Sequence, residues 1–133
     1  MAVTPIKKNK GGAVQNGEAK VYTLDATGQK LGRLASEAAS IILGKKSAQY
    51  VQNEVLPVRV VITNASKMSM SEKRIANKEY TRYTGYPGGL RTMSMQEMMD
   101  KKGVSEMLKK TIDGMIPRNK LRKERMKRVT ITD

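Results

Sequence analysis

Apolar and polar positions divide the chain into short blocks with two different periods. Val21-Tyr22-Thr23-Leu24 reads as a strand, closed by the turn-forming run Asp25-Ala26-Thr27-Gly28. Leu31, Leu34, Ala35, Ala38, Ile41 and Ile42 then recur at three- and four-residue steps, which predicts an amphipathic helix. Gly44 stops it, and Lys45 and Lys46 sit at its negative C-terminal end. Val58 to Ile62 is β-branched, broken only by Arg59, and too apolar for a solvent-facing edge. Strand, helix and strand in this order predict a βαβ unit with parallel strands and a right-handed crossover.

Farther along, Lys78 to Tyr83 alternates weakly and predicts a third strand leading into a glycine-rich loop. Ser94-Met95-Gln96-Glu97 fits a capping box, with the Ser oxygen on the N3 amide and Glu97 reaching back. A short helix should follow to about Lys102. Gly103 separates it from a second helix, Val104 to Asp113, with Gly114 as its stop and Pro117 beyond. Asn119 is placed to cap a third, basic helix reaching Lys127, and Val129-Thr130-Ile131 to add a last extended segment. Residues 1–20 carry Lys7, Lys8 and Lys10 with Gly11, Gly12 and Gly17 and few apolar side chains. Such a segment does not bury enough surface to offset its ordering entropy, so a flexible basic arm is expected over 1–20 and a single domain over 21–133.

Charge sharpens this picture. The formal net charge is +14 and the pI about 10.1, a surplus that opposes compaction unless a polyanion neutralises it. Cys and His are both absent, which removes disulfides, the usual zinc sites, thiol nucleophiles and every His-dependent acid/base scheme. Phe and Trp are absent too, against ten Met. Met68, Met70, Met93, Met95, Met98 and Met99 read as packing groups rather than metal ligands. No apolar run approaches the roughly 18 residues of a membrane span.

Nucleotide-site motifs fail on inspection. Gly44-Lys45-Lys46-Ser47 resembles the end of a phosphate loop, but Ala39 stands where the earlier Gly belongs. The run also follows a helix, whereas a phosphate loop must precede one. Glu97 and Asp100 share a helix face with nothing nearby to perturb them, which fits a solvated surface better than a catalytic pair.

Two features carry chemistry. The first is Arg82-Tyr83-Thr84-Gly85-Tyr86-Pro87-Gly88-Gly89-Leu90-Arg91. A Tyr-Pro-Gly-Gly turn needs no function, because Pro fixes φ and Gly permits positive φ. Here, however, Arg82 and Arg91 bracket two tyrosines, an arrangement suited to phosphate contact and to stacking on unpaired bases. Gly88 and Gly89 would let an RNA backbone approach closely. The second feature is the segment 118–128, with seven Lys or Arg and one Glu. A charged helix is often only a solvated face, but so many like charges repel at i,i+4 spacing. Arg118, Arg122 and Arg125 would share one helical face, and a polyanion would relieve the repulsion by counterion release.

Four ordered blocks resemble ribosomal protein L-thirteen of the large subunit, in its bacterial form. They are Asp25 to Ser36, Val60-Val61-Ile62-Thr63-Asn64-Ala65, Tyr80 to Leu90, and Gly114-Met115-Ile116-Pro117-Arg118-Asn119-Lys120-Leu121. Tyr83 replaces the family's His, and Val55-Leu56-Pro57-Val58 replaces an acidic block. The resemblance implies a three-layer α/β/α fold around a short, mostly parallel four-stranded sheet, with a basic C-terminal helix. It implies a structural constituent of the large subunit of the cytoplasmic ribosome, binding large-subunit ribosomal RNA early in assembly beside neighbouring ribosomal proteins. No catalysis, cofactor, metal, membrane or small-molecule substrate is expected. The alternative is a free-standing RNA- or DNA-binding architectural or chaperone protein. The RNA-binding candidates are Lys30, Arg33, Lys45, Lys46, Arg82, Tyr83, Thr84, Tyr86, Gly88, Gly89, Arg91, Arg118, Asn119, Lys120, Arg122, Lys123, Arg125, Lys127 and Arg128.

Overall fold

The computed structural model describes residues 19–133, so the expected arm over 1–20 lies almost wholly outside the described residues. The chain runs β1 (Lys20–Asp25), α1 (Leu31–Ile42), β2 (Val58–Thr63), a 3-10 turn (Ala65–Lys67), α2 (Glu72–Asn77) and β3 (Glu79–Tyr83). It continues through β4 (Leu90–Ser94), α3 (Met95–Lys102), α4 (Val104–Met115), α5 (Arg122–Met126) and β5 (Val129–Ile131).

β2 is the central strand of a parallel sheet in the order β1-β2-β5, as its apolar composition requires. The register sets Tyr22 beside Val60 and Leu24 beside Ile62, with Val129 and Ile131 on the far side of β2. One sheet face is therefore Tyr22, Leu24, Val58, Val60, Ile62, Val129 and Ile131, all within or against the core. The other face carries Val21, Thr23, Arg59 and Thr130, which are exposed.

The α1 stripe is buried as its spacing predicts, with Ala39 added. Its alanines let α4 approach, and Met107, Leu108 and Ile112 of α4 join the same core. The methionines act as fillers: Met68, Met95 and Met98 are buried, and Met70, Met93 and Met99 rest against the core.

Four expectations need correction. Among the described residues the parallel sheet has three strands, not four. The strand expected at 78–83 forms, but it pairs with Leu90–Ser94 in a separate antiparallel hairpin. The short loop between them makes that local pairing cheap, and the exposed Thr81 and Tyr83 are unsuited to a covered sheet. Gly114 does not stop α4, which runs to Met115. Pro117 sets the limit instead, holding Ile116 extended at φ −88 and ψ 140. Asn119 caps no helix: α5 begins at Arg122, with Leu121 at its N-cap position, and is only five residues long. The capping box is half formed. Ser94 Oγ accepts the Glu97 N–H at 3.2 Å, while the Glu97 carboxylate turns to Lys101.

The long connection from α1 to β2 is tied down by two arginines of the C-terminal segment. Arg125 is 1 % exposed, and its Nη2 donates to the carbonyls of Gln52 at 3.3 Å and Glu54 at 3.2 Å. Its Nε finds no partner among the described residues. Arg128 Nη1 donates to the Leu56 carbonyl. Gly44, at φ +83, lets the chain leave α1 under this clamp, and a Cβ there would sit 2.5 Å from Leu56 Cδ1.

Arg125→Ala takes the donor from the Gln52 and Glu54 carbonyls and opens a cavity, so unfolding in denaturant should need about 2–4 kcal/mol less. At the carboxyl ends of β1 and β2, the Thr27 N–H, the Thr27 hydroxyl and the Asn64 amide all donate to Asp25. Chiefly through the backbone bond, they hold its carboxyl below the ordinary 3.8. The native state thus binds that proton less readily than the unfolded chain. Asp25's contribution is complete above the unfolded value and disappears as pH falls through the lowered native one. Asp25→Asn should accordingly lose less stability than wild type between about pH 6 and about pH 3 in matched thermal melts.

Candidate nucleic-acid interface

The turn from α4 to α5 folds the basic segment around a concavity. Pro117 ends α4, the Asn119 N–H donates to the Pro117 carbonyl at 2.9 Å, and the Arg122 N–H donates to the Asn119 carbonyl at 3.1 Å. The result is a groove of about 840 Å³ lined by Lys109, Asp113, Arg118, Asn119, Lys120, Arg122, Lys123, Met126 and Lys127. Six of these are cationic and one is a carboxylate. Asp113 holds Arg122 at 2.8 Å with both side chains partly buried. Lys109, Arg118, Lys120, Lys123 and Lys127 are exposed and have no carboxylate within 4.0 Å among the described residues. A concave surface of one sign concentrates its field, which is what a phosphate backbone responds to.

The structure therefore brings Arg118, Asn119, Lys120, Arg122, Lys123 and Lys127 together, but not Arg125 or Arg128. The shared face expected for Arg118, Arg122 and Arg125 does not form. Arg118 precedes the helix, Arg122 turns to Asp113, and Arg125 lies in the interior, away from any surface that meets phosphate. Lys109 was not among the sequence candidates. The signal for it was its i,i+4 relation to Asp113 on α4.

The glycine loop closes the β3–β4 hairpin. The Gly89 N–H donates to the Tyr86 carbonyl at 2.9 Å, and the Thr84 N–H donates to the Gly89 carbonyl at 3.2 Å. Pro87 and Gly88, the latter at φ +73, occupy the two central positions, the pattern of a type II turn. A Cβ at Gly89 would overlap Thr84 Oγ1 and lie 2.9 Å from the Tyr86 carbonyl oxygen. The turn itself thus accounts for both glycines.

Around it, Tyr83 is 63 % exposed, Tyr86 76 % and Leu90 64 %. Tyr83 stands across from Leu90, and Arg82 directly across from Arg91 on the opposite face. Lys30 is the N-cap residue of α1 and Arg33 lies in its first turn, both exposed. Lys45 and Lys46 are exposed just beyond the other end, with Lys46 bonded to Glu37 at 3.2 Å.

Among the described residues, no three acidic side chains gather into a metal site. No described helix is long and apolar enough to cross a membrane.

The two turn glycines should fail differently. Gly88→Ala places a Cβ at positive φ in open space, costing about 1–2 kcal/mol locally. Gly89→Ala must displace Thr84 or the Tyr86 carbonyl, so the Thr84 amide should exchange its hydrogen much faster than in Gly88→Ala. Equal exchange in the two variants would contradict this turn geometry.

Comparison with known proteins adds a second line. A family model described as Ribosomal protein L13 matches residues 19–132. A Clostridioides difficile protein named large ribosomal subunit protein uL13 is 40 % identical over 112 residues, covering 84 % of this chain and 78 % of the relative. The protein of that name from Pelobacter propionicus is 35 % identical over 118 residues, 89 % of this chain and 82 % of its own. That from Staphylococcus carnosus is 37 % identical over 116 residues, 87 % and 79 % respectively.

Proposed function

The chain belongs to the ribosomal protein L13 family, and from that membership we propose that the α4–α5 groove is its principal contact with large-subunit ribosomal RNA. The protein is a structural constituent of the large ribosomal subunit and not an enzyme. The observation that carries the RNA reading is the groove's five exposed cations, with which no carboxylate among the described residues pairs. Phosphates entering the groove would release counterions and relieve the mutual repulsion of Lys120, Lys123 and Lys127.

The hairpin tip supplies a second contact of different character. Tyr83 and Tyr86 offer exposed ring faces for unpaired bases, and Arg82 and Arg91 offer donors to phosphate. Thr84 is held by the turn and is better placed to support it than to read a base. Binding at both places would fix ribosomal RNA early and support subunit assembly beside neighbouring ribosomal proteins. A third layer over the outer sheet face belongs to the same proposal, because parallel sheets are as a rule covered on both faces and Val21 is 60 % exposed.

Filter binding to large-subunit ribosomal RNA across a salt series tests the groove. The combined Lys120→Gln, Lys123→Gln and Lys127→Gln variant should flatten the log–log salt slope by about 2–3, since each phosphate contact contributes roughly 0.7–0.9. It should also co-sediment less with large subunits at moderate salt. A wild-type slope in the folded triple variant would reduce the groove to inert surface.

A further inference from the structure

One aromatic ring of the β3–β4 hairpin gathers two cations. Tyr80 of β3 is partly buried and packs against the core. Lys110 Nζ, reaching from α4, lies 4.7 Å from its ring centroid, and Lys78 Nζ lies 5.7 Å from it. Each ammonium is attracted by the ring face, but the two repel one another. No carboxylate stands within 4.0 Å of either among the described residues, whereas Lys46 has Glu37 and Lys101 has Glu97.

The same face of the hairpin continues outward to Arg82 and Arg91. Alternate strand positions share a face, so Arg82 lies beyond Tyr80 and Arg91 beyond Met93. Like charges directly opposite on two strands are destabilising, and no carboxylate among the described residues pairs with either. In the other direction, Lys110 directly follows Lys109, a lining residue of the groove. Consecutive helix positions are about 100° apart, so α4 turns positive charge from the groove toward Tyr80.

We infer that Lys78 and Lys110, oriented by the Tyr80 ring, form a phosphate-binding station that joins groove and hairpin into one track for an RNA backbone. The inference rests on the RNA reading of the groove. Tyr80 is a positioning residue in it: its ring fixes where the ammonium groups stand, and they supply the donors.

The test uses the full chain and large-subunit ribosomal RNA. Lys78→Gln combined with Lys110→Gln removes both charges and keeps side-chain length. The salt slope should flatten by about 1.4–1.8, the contribution of two phosphate contacts. In hydroxyl-radical footprinting, the variant should lose protections lying between those lost with the groove variant and those lost with Arg82→Gln, Arg91→Gln. Lys20→Gln with Lys67→Gln, which removes equal charge elsewhere, should keep the wild-type footprint and nearly the wild-type slope. An unchanged slope and footprint in the Lys78, Lys110 variant, with the groove variant still impaired, overturns this inference alone. Equal effects from both charge-removing pairs also overturn it, since net charge would then suffice. If the groove variant binds like wild type as well, the reading of the groove falls with it.

Discussion

The buried guanidinium of Arg125 ties the C-terminal segment to the connection before β2, some seventy residues earlier in the chain. Removing an arginine from water is costly, and no carboxylate among the described residues compensates it. Its compensation is the pair of carbonyls at Gln52 and Glu54, groups of an irregular segment that make no strand or helix bond. The bond therefore serves both partners. It orders the connection before β2, and it fixes the roll of α5 just before the chain enters β5. Because β5 pairs with β2, the connection, the central strand and the C-terminal segment become one cooperative unit. The roll of α5 in turn decides that Lys123 and Lys127 face the groove.

A surplus of +14 makes each remaining acid consequential. Asp113 is the groove's single carboxylate, and it engages Arg122 rather than a lysine. The groove keeps its wall in place through that ion pair without neutralising the lysines along it. Asp25 is similarly committed, bonded to Thr27 and Asn64 at the carboxyl ends of β1 and β2. Ligands in open α/β sheets commonly enter at those ends. Here the side chains of Asp25, Thr27 and Asn64 bond to one another at that place, and the cation-lined groove is built from α4 and the α4–α5 turn instead.

The βαβ unit was legible because periodicity and burial agree there. The α1 stripe has one answer at 3.6 residues per turn, and β2 is β-branched at five of its six positions, with Arg59 alone exposed. The hairpin was half legible. Tyr86-Pro87-Gly88-Gly89 specified its turn, but Leu90 to Ser94 alternates too weakly to announce β4. The missing distinction between a sheet strand and a hairpin strand is a tertiary one. Gly114 misled because an exposed helical glycine costs only about 1 kcal/mol, which α4's buried face outweighs. The resemblance to a known family carried the functional reading, while the division of labour within 118–128 depended on what packs against it.

That division has a physical logic that the two cationic residue types make visible. Arg122, Arg125 and Arg128 recur every third residue, and all three turn inward to a carboxylate or to carbonyls. Lys120, Lys123 and Lys127 recur at three- and four-residue steps and all stay exposed. A guanidinium is weakly hydrated and presents a planar fork of donors, so it survives desolvation against fixed acceptors. An ammonium is a compact, strongly hydrated charge and is better left where water or a phosphate meets it. Counting Lys and Arg together hides this, and the stripe drawn through Arg118, Arg122 and Arg125 mixed the two roles. Arg118, ahead of α5 and outside its periodicity, is the one arginine of the segment that remains at the open surface. The basic segment is thus a structural arginine seam and a lysine-rich binding wall in one short stretch, and the seam is what holds the wall in place.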